Sequence, residues 1–171
     1  RTDDSYPTVY GLNTGLGSLL RVRLSQKDLN DFSRKIILSH ACGVGEPFDE
    51  EVTRGAMLLL ANNFLSGYSG IRPVIVETII QMINNHLHPI VPSQGSLGAS
   101  GDLAPLAHLA LVFTQAEHND REAESGYATF HGERLSGNEA MKRAGIPRVM
   151  LGPKEGLSVV NGTHFTTSLL A

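Results

Sequence analysis

Tryptophan is absent from this chain, cysteine occurs once, and only 18% of the residues are charged. The single Cys42 excludes a disulfide within the chain and fits a reducing compartment. No apolar run approaches the roughly 20 residues that a membrane-spanning helix needs. Basic residues are scattered rather than gathered into a stripe, which argues against a nucleic-acid partner. The sequence therefore predicts neither a disulfide scaffold, nor a membrane span, nor a nucleic-acid-binding module.

The chain has enough apolar residues, 41% of 171, to build a sizeable core. It starts with Arg1 rather than Met, and it stops at Ala171 inside an apolar, helix-like run. We therefore expect residues 1–171 to be a single segment of a longer polypeptide. The low charge and the absence of tryptophan predict that part of its surface is buried in a larger assembly.

The pattern of caps, breakers and apolar spacing predicts a mainly α protein with few strands. A capping box at Ser25 and Asp28 predicts a helix over about 26–40. Asp49 and Asp102 are expected to cap further helices, and Pro73 is expected at a first helical position. The expected elements after the first helix are a second helix from Asp49, a third over 74–86, a fourth over about 103–115, a hairpin near His131, a short helix over 138–144, and a helical end to 156–171.

The most informative segment is residues 95–109, which read GSLGASGDLAPLAHL. Ser100 lies between Ala99 and Gly101, immediately before the expected helix start at Asp102. Small residues on both sides indicate a backbone that must bend tightly, because Gly and Ala impose the least steric penalty. His108 lies six residues after Asp102, roughly 9 Å along a helix, which argues against a role as base for Ser100.

Three further segments accompany this one. Residues 10–17 read YGLNTGLG, residues 38–47 read LSHACGVGEP, and residues 161–163 read NGT. Together with the Ala-Ser-Gly segment, and in this order, they resemble the aromatic amino acid ammonia-lyases. Residues 67–73, GYSGIRP, and 154–157, KEGL, fit the same resemblance, which covers nearly the whole chain.

The resemblance implies a self-made prosthetic group. In the family, the residues matching Ala99, Ser100 and Gly101 cyclise and lose two waters to give 4-methylidene-imidazol-5-one, with no metal or external cofactor. Such an electrophile suits ammonia elimination, because the amine is a poor leaving group and the β-proton is barely acidic. The resemblance assigns the base that removes this proton to Tyr10. It also implies that Asn161 hydrogen-bonds the prosthetic group and that the backbone of Gly17 lies against the site.

The resemblance assigns substrate choice to His40. The pair Ser39-His40 matches the family's histidine-specific members, and an imidazole can hydrogen-bond an imidazole substrate. The other interpretation is a histidine that interacts with the dipole at a helix C-terminus. His164 departs from the pattern, since histidine-specific members typically carry glutamine there. A tyrosine or phenylalanine ammonia-lyase, a 2,3-aminomutase and a non-catalytic helical homologue remain alternatives, and attack by the substrate amine or by its ring stays open.

The resemblance further implies a large helical-bundle lyase, a cytoplasmic homotetramer with active sites shared between subunits, and an amino-acid substrate. An arginine for the substrate carboxylate and another tyrosine are expected beyond Ala171, so the segment alone is expected to be inactive. Cys42 is predicted to be a small packed residue, because free cysteine is usually buried.

Overall fold

The computed structural model describes residues 7–24, 26–98 and 100–171. Its helices confirm the mainly α prediction, and Pro73 does occupy a first helical position. The helices are α1 (Gln26–His40), α2 (Glu50–Leu65), α3 (Pro73–Asn84), α4 (Leu103–Phe113), α5 (Gly137–Arg143), α6 (Glu155–Val160) and α7 (His164–Leu170), with 3-10 turns at Gly17–Leu19 and Glu122–Glu124.

Short strands connect these helices. They are β1 (Val44–Pro47), β2 (Leu87–Pro89), β3 (Pro92–Gln94), β4 (Thr114–Gln115), β5 (Tyr127–Phe130), β6 (Glu133–Ser136) and β7 (Val149–Met150). β5 and β6 form the expected hairpin, and β2 pairs with β5 on its other side. β1 pairs antiparallel with β3, and β4 pairs parallel with β7. The β1–β3 pair matters for function, because it places the end of α1 beside the segment that follows β3.

Two of the expected helix ends and two of the expected caps need correction. The third helix ends at Asn84 rather than at 86, because His86 adopts a left-handed conformation with φ of 52°. The fourth ends at Phe113, because Thr114 is extended and begins β4. Asp49 and Asp102 occupy N-cap positions, but neither side chain accepts a capping hydrogen bond. The Ser25 part of the expected capping box lies outside the described residues.

Helix α4 is the centre of the core. Nine of its eleven residues are buried, so it is apolar on nearly every side rather than on one stripe. It packs against α1, α5 and α6. Its position is important because its N-terminal end directly follows Ser100 and Gly101.

The C-terminal end of α4 is fixed by a buried arginine. The guanidinium of Arg148 donates to the carbonyl oxygens of Leu111, Val112 and Thr114 and to the carboxylate of Asp120. These donors satisfy carbonyls that have no partner within the helix. Burial lowers the pKa of neighbouring Arg34 to about 10, with repulsion from Arg148 in the same direction. Arg34 Nη1 donates to Thr114 Oγ1 at 2.6 Å, so two cations lie at the negative end of the helix dipole. The positive end of the helix lies beside Ser100.

None of the helices in the described part of the chain combines the length and apolar character that crossing a bilayer demands.

Candidate active site

A cleft of about 280 Å³ lies between the C-terminal end of α1 and the N-terminal end of α4. We name it the Ser100 cleft. Its lining residues are Ser39, His40, Cys42, Gly95, Leu97, Ser100, Gly101, Leu103 and Ala104. Two candidate site residues far apart in sequence, His40 and Ser100, thus line one cavity. Because the first turn of α4 has unpaired N–H groups, this end of the cleft favours negative charge.

The backbone at the base of the cleft is locked to a second segment. The N–H of Asp102 donates to the carbonyl oxygen of Gly162 at 2.6 Å. Gly101 has φ of +105°, and a Cβ there would lie 2.3 Å from that same oxygen. Only glycine fits a backbone held this closely. Two motifs that the sequence analysis singled out, the Ala-Ser-Gly segment and residues 161–163, are therefore in direct contact.

Asp102 does not cap α4 but joins it to α7. Its side chain is 1% exposed. The carboxylate accepts hydrogen bonds from Ser96 Oγ at 3.0 Å, from Thr166 N at 2.8 Å and from Thr166 Oγ1 at 2.8 Å. Because these donors come from outside α4, the carboxylate is turned away from its own helix. Sequence reasoning missed this role, since Ser96 and Thr166 are 70 residues apart and share no motif.

The side chain of His40 is held at the end of α1. Its Nδ1 lies 2.8 Å from the carbonyl oxygen of Ile36 and 3.1 Å from Ser39 Oγ. A carbonyl oxygen can only accept, so the proton of the neutral ring is assigned to Nδ1. Nε2 is then an acceptor, which is the arrangement needed to receive an N–H from a ligand in the cleft.

His108 holds the loop that follows α1. The N–H of Gly43 donates to His108 Nε2 at 3.0 Å. Burial lowers the pKa of His108, which keeps the ring neutral and its Nε2 free to accept. A Cβ at Gly43 would lie 3.2 Å from both Gln94 O and His108 Nε2, so glycine permits this close approach. His108 thus shapes the cleft from α4, and it is bonded to Gly43 rather than directed at Ser100.

Tyr10 and Gly17 contact each other outside the cleft. The N–H of Gly17 donates to Tyr10 Oη at 3.1 Å, and the tyrosine side chain is 52% exposed. Their loop rests on α6, because a Cβ at Gly11 would lie 2.7 Å from Leu157 Cδ2. Neither residue lines the Ser100 cleft. Within this single chain, then, the candidate base is paired with its glycine but is not gathered around Ser100.

Asn161 occupies the C-cap position of α6, with an exposed side chain, and does not line the cleft either. The segment that carries it nevertheless touches the cleft's base through Gly162. Cys42 corrects an expectation: it is an exposed free thiol that lines the cleft, not a packed core residue. Cys42 lies just after the end of α1, and the next residue, Gly43, has no side chain that could cover it.

The described residues fit the implied prosthetic group. Ring closure between residues 99 and 101 requires a tight backbone with minimal side chains, and Gly101 is held where a Cβ would clash. Ser100 is exposed and opens into the cleft, where its side chain can meet a ligand. Ala99 lies outside the described residues. The positive end of α4 beside Ser100 would stabilise electron density on such a group.

The fold is mainly helical, and Ser100 and Gly101 line a cleft at the N-terminal end of α4. The chain belongs to the aromatic amino acid lyase family, which it matches over residues 2–171. It is 50% identical to the histidine ammonia-lyase of Alkaliphilus metalliredigens over 161 residues, covering 94% of this chain and 30% of that protein. The chain thus spans about 30% of the length of the curated relatives it matches.

Solved structures agree with this assignment. The ergothionase of Treponema denticola, an ergothioneine-degrading enzyme, superposes with a TM-score of 0.85 at 30% identity, covering 95% of this chain and 31% of that one. The phenylalanine aminomutase of Pantoea agglomerans gives 0.84 at 32% identity, covering 95% and 29%. Because these enzymes bear different names and share this fold, the fold alone does not choose the substrate.

Proposed function

We propose that the complete protein is a histidine ammonia-lyase that converts L-histidine to trans-urocanate and ammonia. The observation that carries the proposal is that His40 and Ser100 line one cleft at the N-terminal end of α4. About 50% identity to curated histidine ammonia-lyases supports the same substrate. Residues 1–171 are then one segment of the lyase, the segment that bears the prosthetic group.

We infer that Ala99, Ser100 and Gly101 supply the group 4-methylidene-imidazol-5-one, with no metal or external cofactor. Once formed, that group supplies an electrophile that makes ammonia a better leaving group. The chain's own residues bind and orient the substrate. Nε2 of His40 accepts an N–H from the substrate imidazole, because Nδ1 already donates to Ile36. This hydrogen bond selects an imidazole over a phenyl side chain, which would leave Nε2 without a partner.

Tyr10 is the proposed base for the β-proton. Its Oη accepts the N–H of Gly17 at 3.1 Å, a donor suited to stabilising negative charge on that oxygen. Gly17 therefore holds the oxygen that takes the proton, and Asn161 is proposed to hydrogen-bond the prosthetic group. Tyr10 and Asn161 do not line the cleft of this chain. This supports a site completed by other chains or by other parts of the complete protein.

A homotetramer with shared active sites is the proposed assembly. Large apolar side chains that are almost fully exposed, including Leu97, Tyr68 and Leu170, support further covering of this surface. Leu97 lines the Ser100 cleft itself, so whatever covers it also closes the site. An exposed free thiol at Cys42 supports a reducing, cytoplasmic setting. The isolated segment is expected to be inactive.

Intact-mass measurement and activity on the complete protein test the proposal together. The wild type should lack the mass of two waters and should release ammonia from histidine in preference to phenylalanine or tyrosine. Ser100→Ala should have the full mass calculated from its sequence, with no water lost at residues 99–101, and should release no ammonia. A wild-type protein that retains both waters while releasing ammonia at full rate would refute the proposal, and a preference for tyrosine would remove histidine from it.

Tyr10→Phe separates the base from the binding residues. We expect kcat to fall by about 10²–10⁴-fold with little change in KM, because only the proton acceptor is lost. His40→Leu should instead raise KM for histidine. A Tyr10→Phe protein with unchanged kcat would contradict the assignment of the base.

A further inference from the structure

His164 is a buried imidazole that the proposed reaction does not use. It is the first residue of α7, and 8% of it is exposed. Its Nδ1 has no hydrogen-bond partner within the described part of the chain. A buried polar atom without a partner is costly, so its retention calls for a reason beyond filling space.

The ring of His164 rests against Gly162. A Cβ on Gly162 would lie 2.3 Å from His164 Cε1 and 2.7 Å from His164 Nδ1, so the edge of the ring occupies the space where a side chain would be. The same Gly162 peptide meets the Ala-Ser-Gly segment: a Cβ on Gly101 would lie 2.3 Å from Gly162 O, and that oxygen accepts the N–H of Asp102 at 2.6 Å. The Gly162 peptide therefore contacts both the imidazole of His164 and the backbone at Gly101 and Asp102.

The imidazole is neutral at pH 7. Burial lowers the pKa of His164, and the nearby carboxylate of Asp102 opposes this only in part. Asp102 is the charged group that acts on the ring, and it already accepts hydrogen bonds from Ser96 and Thr166. A proton on His164 would draw that carboxylate away from these donors and disturb the backbone that begins at Asp102.

We propose that neutral His164 is a positioning residue for the Ala-Ser-Gly segment. It presses the Gly162 peptide against the backbone at Gly101 and Asp102, and so sets how fast the tripeptide matures. This inference rests on the proposed function, because it concerns formation of the same prosthetic group.

Maturation has a defined balance. The nitrogen of Gly101 adds to the carbonyl carbon of Ala99, and the resulting hydroxyl leaves as water with the N–H proton of Ser100. Ser100 then loses its hydroxyl and its α-hydrogen as a second water, which leaves an exocyclic alkene. No oxidant or reductant is needed. The first step requires the Gly101 nitrogen to be held towards the carbonyl carbon of Ala99. The Gly162 peptide, which contacts this backbone and is itself backed by His164, therefore controls the rate.

The test follows maturation of the complete protein by intact mass over time, and it requires no activity. His164→Ala removes the ring that contacts Gly162, and we expect it to slow the loss of two waters by about tenfold or more. His164→Gln replaces the ring with a flat, uncharged group that cannot be protonated in this range, and it should mature within about threefold of the wild type. His118→Gln, at an exposed histidine, is the matched control and should have no effect.

The pH profile separates positioning from general stability. Wild-type maturation should slow as pH falls through the His164 pKa, below 6.5, and His164→Gln should lack that inflection. Should His164→Ala fail to fold, the comparison of these two profiles still decides the question. Equal maturation rates in folded wild type and His164→Ala, or identical pH profiles in wild type and His164→Gln, would overturn the inference. A wild type that never loses two waters would overturn the proposed function instead.

Discussion

Arg72 and Glu155 lie 83 residues apart and form a two-pronged ion pair. Arg72 Nε donates to Glu155 Oε1 at 2.9 Å, and Arg72 Nη2 donates to Oε2 at 2.8 Å. The backbone N–H groups of Arg72 and Gly152 complete the shell of the carboxylate. The pair joins the segments 67–73 and 154–157, both of which contributed to the family resemblance. It thereby fixes α6, which leads into Asn161, against the start of α3.

Glu155→Gln should lower the free energy of unfolding of the complete protein by about 2 kcal/mol. The guanidinium of Arg72 would then face a neutral amide side chain instead of a carboxylate. The figure is below that for a fully buried pair because half of the Arg72 side chain is exposed. Denaturant titration measures it. Glu77→Gln, at an exposed position on α3, is the control and should change stability by less than about 0.5 kcal/mol. Equal effects of the two substitutions would contradict a structural role for the pair.

The same carboxylate predicts a pH dependence. Burial raises the pKa of Glu155, but hydrogen bonds from Arg72 and from the Gly152 and Arg72 N–H groups outweigh it, so the net pKa lies below 4.5. A group whose pKa is lower in the folded state contributes stability above its unfolded pKa, and that contribution is lost as pH falls through the folded pKa. Wild type should therefore lose stability below about pH 4.5 more steeply than Glu155→Gln. Parallel curves in urea titrations at pH 3 to 6 would count against this assignment.

Gly101→Ala tests the close approach to Gly162. The new Cβ would lie 2.3 Å from a backbone oxygen, and φ of +105° is unfavourable for alanine. We expect a loss of about 3 kcal/mol and no loss of two waters, since the segment must move. Gly132→Ala is the control, because Gly132 has φ of +80° but nothing lies within 4 Å of the new Cβ. It should cost about 1 kcal/mol from backbone strain alone. Comparable losses at both positions would show that the Gly162 contact is unimportant.

Arg148→Lys should destabilise the protein by about 3 kcal/mol. A lysine ammonium cannot reach the carbonyls of Leu111, Val112 and Thr114 together with Asp120, as the guanidinium does. Arg121→Lys, whose side chain is 76% exposed in a surface ion pair, is the control and should have little effect. Hydrogen exchange should locate the loosened amides at the C-terminal turn of α4, and protection unchanged there would argue against this capping role.

Cys42 should react with iodoacetamide in the folded protein, because its thiol is exposed and lines the Ser100 cleft. Under the proposed function, alkylation of the complete protein should block the cleft and abolish ammonia release, and histidine should slow the reaction. Cys42→Ala should retain activity and resist the reagent. Full activity after stoichiometric labelling would mean that the thiol is not close to bound substrate.

The local signals in the sequence were sufficient for most of the helices. Gln26–His40 and Pro73 were placed correctly, because apolar spacing and a proline at the first turn act within one helix. Helix ends were less predictable. Asp102 has a side chain suited to capping, yet it bonds Thr166 from another element. A local pattern shows the capping position but not the distant Thr166, so it could not predict this outcome.

The sequence by itself determined the family, the mainly α fold and the identity of the tripeptide at Ser100, since these depend on residue types and their order. Only the tertiary structure decided that His40 shares a cleft with Ser100, that Gly162 lies against Gly101, and that Cys42 is open to solvent. The physical reason is that these are contacts between segments many residues apart. They are fixed by the packing of α1, α4 and α7, and not by the preferences of any one segment.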